Sequence, residues 1–196
     1  AVEVSGIRAA HIRDGAALSE YLCWIDEEVS KGHYPDEGVL SDRLEQFRRA
    51  LPELKDLSFS TISAAGSNAA MAHYSHTNGV PAALTPNSLY LVDSGGQYFD
   101  GTTDVTRTIA INTPRVDHKD LFTRVLKGHI ALATARFPEG VQGHQLDVLA
   151  RQFLWEIGKD FDHGTGHGVG CYLSVHEGPQ RIGKSPHPTA PLLPGM

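Results

Sequence analysis

Two acidic residues in a strand-like segment are the first candidates for chemistry. From Tyr90 to Thr108 the chain reads YLVDSGGQYFDGTTDVTRT: an apolar run ends in Asp93, glycines follow, and Asp104 sits in a β-favouring stretch. Acids are disfavoured in strands, so the segment reads as a β-hairpin that turns both carboxylates into one cleft. Side chains alternate along a strand. A two-residue turn at Asp100-Gly101 puts both acids on one face but four residues out of step, about 13 Å along the strand. A loop that is wider and centred earlier would close that gap. So would a bulge at Gly95-Gly96 that re-aims Asp93. The plain alternative is a pair of solvated loop acids.

The second stretch is HGTGHGVGCYLSVHEGP, from His163 to Pro179. Glycine on both sides of His167 lets backbone or ligand approach closely and leaves the imidazole as the functional group at that point. One His and two Asp form a partial set for divalent metal: carboxylates bring charge and can bridge two ions, and imidazole is a borderline donor. Oxygen-rich two-metal sites, with ions about 3.5–4 Å apart, activate a shared water and polarise a carbonyl. Three protein ligands are too few for two metals. His73, His163 and His176 would then serve substrate, since imidazole can hold a peptide carbonyl or the oxyanion formed from it. Each has an ordinary reading as well: a surface residue, a loop donor or a turn cap. A phosphate cradle is disfavoured because no Lys follows the glycines as in GxxxxGK[ST]. Ser94 as a nucleophile served by Asp93 and His167 lacks a GxSxG elbow.

These residues need elements to position them. Glu3 to about Lys31 reads as an amphipathic helix with Ile7, Ala10, Ala17, Tyr21, Ile25 and Val29 on one side, stopped at Gly32. Ser41 could cap a second helix running to Arg49. Leu57 to Ser63 is β-like, and Ala69 to Tyr74 reads as a strand carrying His73 outward. A third helix, from Asp117 or Asp120 to Arg136, carries the stripe Leu121, Val125, Gly128 and Leu132. A fourth, from Gln145 to Gly158, carries Leu146, Leu149, Phe153 and Ile157 on its inner face. Cys171 to Val175 reads as a strand. Blocks of helices around antiparallel strands give an α+β arrangement, with helices on one side of a curved sheet.

The 196 residues suit one domain or a large part of one. A net charge of −6 argues against nucleic acid as partner. Cys23 and Cys171 match no disulfide or zinc-finger spacing, and a reducing compartment is the simplest reading. No apolar run is long enough to span a bilayer. The sequence starts without Met, which leaves a leader or preceding domain open.

DSGGQYFDGTTDVTRT together with HGTGHGVGxxLxVHEGP resembles the catalytic domain of Xaa-Pro aminopeptidases (aminopeptidase P), which have the pita-bread metallopeptidase fold also found in methionine aminopeptidase, prolidase and creatinase. The likeness runs from Glu3 to Met196. GSNAAMAHY, from Gly66 to Tyr74, also resembles a family segment, with Ser67 where Pro is more usual. The resemblance implies that Asp93 chelates one metal, Asp104 bridges two and His167 binds the other. It implies that His73 and His176 contact substrate and that His163 assists proton transfer or orients the substrate. It further implies two divalent ions, manganese first and cobalt or zinc as substitutes, a cytoplasmic location, and as partners peptides with proline at the second position. Neither nucleic acid nor membrane is implied, and a homodimer is open.

The likeness departs from its family in two respects. The family uses five metal ligands, two of them glutamates that lie beyond Met196, and the amino-terminal creatinase-like domains of the long members are also absent. The expectation is one metallopeptidase catalytic domain over residues 1–196, incomplete at its C-terminus, that is metal-free or holds one weak ion and is inactive by itself. Glu177, inside VHEGP, does not stand in for the missing ligands. The alternatives are a non-catalytic binding module of the same fold, a prolidase-type dipeptidase, and a metal-independent hydrolase like creatinase, the last disfavoured by Asp93 and Asp104.

Overall fold

The structure, a computed structural model, describes residues 1–187 and 190–196. The chain forms two compact units: Ala1–Arg115 with Gly170–Val175, and Val116–Val169 with His176–Met196.

In the first unit, helix α1 (Val2–Ser30) buries Ala10, Asp14, Ala17, Leu18, Tyr21, Ile25 and Val29. These residues recur every three or four positions and form one stripe. Helix α2 (Glu37–Arg49) starts four residues before Ser41, because Asp36 is its cap and accepts from the Val39 N–H at 2.9 Å. Strands β1 (Asp56–Leu57), β2 (Ile62–Ala65), β3 (Leu89–Ser94), β4 (Gly96–Gln97) and β5 (Val105–Ala110) follow. All their pairings are antiparallel: β2-β3-β5 form one sheet and β1 pairs with β4. Tyr90 and Val92 of β3 point to the helices and join a core with Tyr21, Ile25, Leu40, Leu44 and Ile111. Within this core the Tyr90 hydroxyl meets those of Tyr21 and Ser63, each at 2.8 Å. Burial pushes the Tyr90 phenol up to about 12.

The expected strand at Ala69 to Tyr74 is not formed. Gly66–Ala70 is a short 3-10 helix, and His73 lies in the turn that follows. Glu37 explains the difference. Its buried carboxylate accepts from the Ala65 and Ala82 N–H groups, Asn68 Nδ2 and the Tyr74 hydroxyl at 2.7–2.9 Å. The loop is gathered around one charge instead of pairing with a strand. Burial alone would raise the Glu37 pKa, but the four donors outweigh it and hold the group below its ordinary range.

In the second unit, α3 (Val116–Ala133) and α4 (Gly143–Trp155) pack together, with β6 (Gly166–Gly168) paired antiparallel to β7 (Glu177–Ile182). A Cβ on Gly128 would lie 2.2 Å from the Ala150 carbonyl oxygen, so glycine sets the approach of the two helices. Of the stripe expected on α3, only Gly128 is buried, while Leu121 and Val125 are exposed. The buried side of α4 is Leu146, Asp147, Ala150, Arg151 and Leu154, not Phe153 and Ile157. An ion pair occupies that side, so its apolar residues do not mark it. Cys171 to Val175 is not a strand. Leu173 and Ser174 have φ of 60° and 51°, left-handed values that strands exclude. The strand instead runs through the glycines of β6.

Asp14 completes the α1 stripe as a buried charge. Arg48 binds it through Nε and Nη2 at 2.8 and 2.9 Å, and the Tyr98 hydroxyl donates to it at 2.8 Å. Burial would raise the Asp14 pKa, but Arg48 and Tyr98 outweigh it and hold the group below 3.8. The stability this contributes is therefore complete above about pH 3.8 and lost as pH falls through the lower folded value. Replacing Arg48 with Met leaves Asp14 buried without its cation and should cost about 3–5 kcal/mol in urea unfolding at neutral pH. A loss below about 1 kcal/mol would show that Asp14 does not depend on this pair.

Candidate metal and substrate site

The hairpin register decides whether the two acids meet. Asp93 pairs with Thr106 and Ser94 with Val105. The same register continues outward: the Thr103 N–H donates to the Gly96 carbonyl, Gln97 bridges Thr102, and the Tyr98 N–H donates to the Gly101 carbonyl. The chain therefore reverses over two residues, Phe99 and Asp100, one position earlier than the turn at Asp100-Gly101. Asp104 falls opposite Gly95, and the stagger from Asp93 shrinks from four residues to two. On an antiparallel pair this makes the acids diagonal neighbours on one face, about 7–8 Å apart at the backbone. Both are half-buried, and their face is the one opposite Tyr90 and Val92.

Gly95 permits this geometry. A Cβ there would lie 1.9 Å from the Thr103 carbonyl oxygen and 2.3 Å from Ser58 Oγ. Ser58 also ties the strand at this point: its N–H donates to the Gly95 carbonyl and its hydroxyl to the Thr103 carbonyl. Ser94 lies on the other side of the strand and is fully buried. A nucleophile there could not share a cleft with Asp93, so the structure rules against the serine reading.

Two contacts fix the hairpin tip. Gly6 and Ile7 of α1 pack against the backbone of Asp100 and Gly101, and Arg13 pairs with Asp100. On the acids' own face, buried Gln97 and Thr102 hold the next rung. Gln97 Oε1 accepts from Thr102 Oγ1 at 2.8 Å and from the Leu173 N–H at 3.1 Å, and the Leu173 carbonyl lies 3.2 Å from the same hydroxyl. These bonds anchor the left-handed turn at Leu173 and Ser174.

The histidines divide between the units. His73 is exposed in the first unit, next to the Tyr74 that Glu37 binds. In the second, His167 lies on β6 with its ring centroid 4.4 Å from that of His176, edge to face. His167 Nδ1 lies 2.8 Å from the Gly168 carbonyl oxygen. A carbonyl can only accept, so Nδ1 is the donor in this contact. His163 Nδ1 faces the Gly164 carbonyl at 2.7 Å in the same way. Its ring lies against Phe161, tilted by 31°, with centroids 4.8 Å apart. The structure thus brings Asp93 to Asp104, and His167 to His176. β6 leads into a turn and then β7, not into a helix, so the phosphate-cradle reading has no helix N-terminus to use.

Within neither unit, among the described residues, do three His, Cys, Asp or Glu side chains converge as a metal-binding group. The donor chemistry nevertheless fits a hard or borderline dication. Two carboxylates on one face are the hard oxygen donors such an ion takes, and an imidazole adds a nitrogen donor. Sequence reasoning overlooked the supporting residues Asp14, Glu37, Gln97, Thr102 and Arg151. Asp14 and Arg151 are legible as charges standing inside apolar stripes. Gln97 and Thr102 carry no local signal.

The sequence pattern of metallopeptidase family M24 matches residues 5–196. A probable Xaa-Pro aminopeptidase P of Talaromyces marneffei is 55% identical over 183 residues, covering 93% of this chain and 28% of that protein. One of Botryotinia fuckeliana is 52% identical over 195 residues, covering 98% and 30%. Among solved structures, the X-prolyl aminopeptidase of Caenorhabditis elegans, described as a cytosolic enzyme with a di-nuclear active site, superposes with a TM-score of 0.92. It is 47% identical and is covered over 97% of this chain and 31% of its own. The prolidase of Pyrococcus furiosus superposes with a TM-score of 0.73 at 25% identity, over 95% of this chain and 53% of its own. The chain spans less than a third of the length of these two relatives.

The glycine at 95 supplies a test of the register. Gly95→Ala forces Cβ against the Thr103 carbonyl and should destabilise the protein by about 1–3 kcal/mol or more in urea unfolding. Gly79→Ala, where nothing lies within 4 Å of the new Cβ, serves as the control. Equal stability of the two variants would contradict the close approach.

Proposed function

Because the chain belongs to metallopeptidase family M24, we propose that it carries the metal-binding catalytic region of an enzyme that removes an N-terminal residue preceding proline. The observation that carries this reading is the placement of Asp93 and Asp104 as diagonal neighbours on one sheet face. In this reading Asp93, Asp104 and His167 hold divalent ions, manganese by preference, with cobalt or zinc able to substitute. When bound, such ions polarise the scissile carbonyl and acidify the attacking water.

The chain's own side chains do the rest. His167, with Nδ1 committed to Gly168, offers Nε2 as the ligand atom. His163, with Nδ1 committed to Gly164, offers Nε2 to the substrate as the atom that accepts or returns a proton. His176, whose ring lies against that of His167, donates to the carbonyl oxygen as charge develops on it. His73, on the loop that Glu37 gathers, contacts the proline side. A prolyl nitrogen has no N–H, so selection rests on ring shape and carbonyl contacts.

Two other readings keep a place. A prolidase-type dipeptidase shares the donor set, but the identity to prolidase is 25% against 47% to the aminopeptidase. A non-catalytic module would not need both acids and the imidazole, which this chain retains. A cytosolic location is proposed from the cytosolic description of the Caenorhabditis elegans enzyme.

Asp104→Asn in the full-length protein, assayed with manganese on an Xaa-Pro tripeptide, should lower kcat/KM about a thousandfold, the loss of several kcal/mol of charge stabilisation. Absence of cleavage by the unmodified protein would sink the peptidase reading, and cleavage of dipeptides alone would move it to prolidase. Two carboxylates and one imidazole leave a net ligand charge of about −2 for two dications. The 196-residue stretch alone should therefore bind manganese only weakly in calorimetric titration, with Kd about 10⁻⁴ M or above. Two tightly held ions per chain would refute that expectation.

A further inference from the structure

A buried arginine lies beneath the loop that presents His163. Arg151 of α4 is 1% exposed. Its guanidinium binds Asp147 through Nε at 2.6 Å and Asp160 through Nη1 at 2.8 Å. It also donates to two backbone carbonyls of the loop, that of Phe161 through Nη1 and that of His163 through Nη2, the latter at 3.0 Å. The far end of the loop is fixed from the same cluster. Thr165 Oγ1 donates to Asp147 Oδ1, and the Thr165 N–H donates to the Ile182 carbonyl at 2.9 Å. Lys184 holds the other oxygen of Asp160 at 2.7 Å.

The contacts continue through the rings. The guanidinium carbon lies 3.8 Å from the Phe161 ring centroid, and the His163 ring lies on Phe161 at 4.8 Å with 31° between planes. Guanidinium and imidazole both contact the phenyl ring, and the same guanidinium binds the backbone carbonyls of Phe161 and His163. Burial would lower the arginine's pKa, but Asp147 and Asp160 outweigh it, so the cation is retained.

We infer that Arg151 is the positioning residue of His163, fixing its backbone through two carbonyls and its ring plane through Phe161. The inference deepens the function proposed above and rests on the reading of His163 as a substrate-facing imidazole. Arginine is required because its planar fork satisfies several acceptors in fixed directions while its face carries an aromatic ring. The ammonium of lysine keeps the charge and loses both the fork and the stacking face.

The test uses the full-length protein with Arg151→Lys, Phe161→Leu, His163→Ala and the double variant Arg151→Lys/His163→Ala. Xaa-Pro hydrolysis is measured, and histidine-selective ¹⁵N labelling follows the His163 imidazole. Arg151→Lys should lower kcat roughly 10–100-fold, the range seen when an orienting partner is lost, with KM changed less than about threefold. In the His163→Ala background it should cause no further loss, because both changes act on the same imidazole. The His163 signal should move from the Nδ1–H tautomer towards a mixture. Phe161→Leu should do the same to a smaller extent, and it carries the test if Arg151→Lys does not fold. Equal losses from Arg151→Lys with and without His163 would overturn the inference, as would an unchanged imidazole signal. If His163→Ala leaves kcat untouched, the substrate role of His163 fails, and the imidazole signal alone then decides the positioning claim.

Discussion

The chain reverses at Phe99 and Asp100, and that one geometric constraint governs whether the candidate site exists. Reversal there pairs Asp93 with Thr106 and sets Asp104 one diagonal step away on the same face. A turn centred one position later would keep both acids on that face but double the stagger to four residues. A one-residue slip of either strand would send its acid to the helix-packed side, among Tyr90, Val92 and buried Ser94. The register is held at both ends. Tyr98 reaches back to Asp14 of α1, and close backbone approach at Gly95 admits no side chain.

Buried charge is the recurrent means of support. Arg48 with Asp14 anchors the hairpin to α1 and α2, Glu37 gathers the loop that bears His73, and Arg151 with Asp147 fixes the loop that bears His163. Burying ions is costly, and apolar packing of similar volume would often be as stable. What these groups add is direction. Each makes several bonds to separate stretches of backbone or side chain, which apolar contacts cannot orient. All three sit one contact behind a candidate functional residue or the strand that carries it.

Much of this was legible in the sequence because the signals are local. The α1 stripe, the ends of α2 and α4 to within a few residues, the hairpin and the two-acid pattern follow from periodicity and turn chemistry. The failures have physical causes. Ala69 to Tyr74 has a strand's composition, but Glu37, more than thirty residues earlier, supplies the bonds a neighbouring strand would have made. Cys171 to Val175 reads as a strand because Leu173 and Ser174 are not residues expected at positive φ. Gln97 and Thr102, some seventy residues away, hold that backbone. The inner side of α4 differs from the one its apolar residues predict because its central position is Arg151, and counting apolar residues passes over a buried cation. Asp-Gly is the strongest local turn signal, but the stagger of the two acids already calls for a reversal centred earlier, and the chain reverses at Phe99 and Asp100. The chain overrides that signal to seat Tyr98 on Asp14 and Gly101 against Ile7.

The central claim is that the face shared by Asp93 and Asp104 receives the metal. Anomalous diffraction from crystals of the full-length protein grown with manganese tests it most directly. The account predicts manganese peaks within about 2.5 Å of carboxylate oxygens from both Asp93 and Asp104. Manganese bound elsewhere, with the two carboxylates contacting no ion in common, would contradict it.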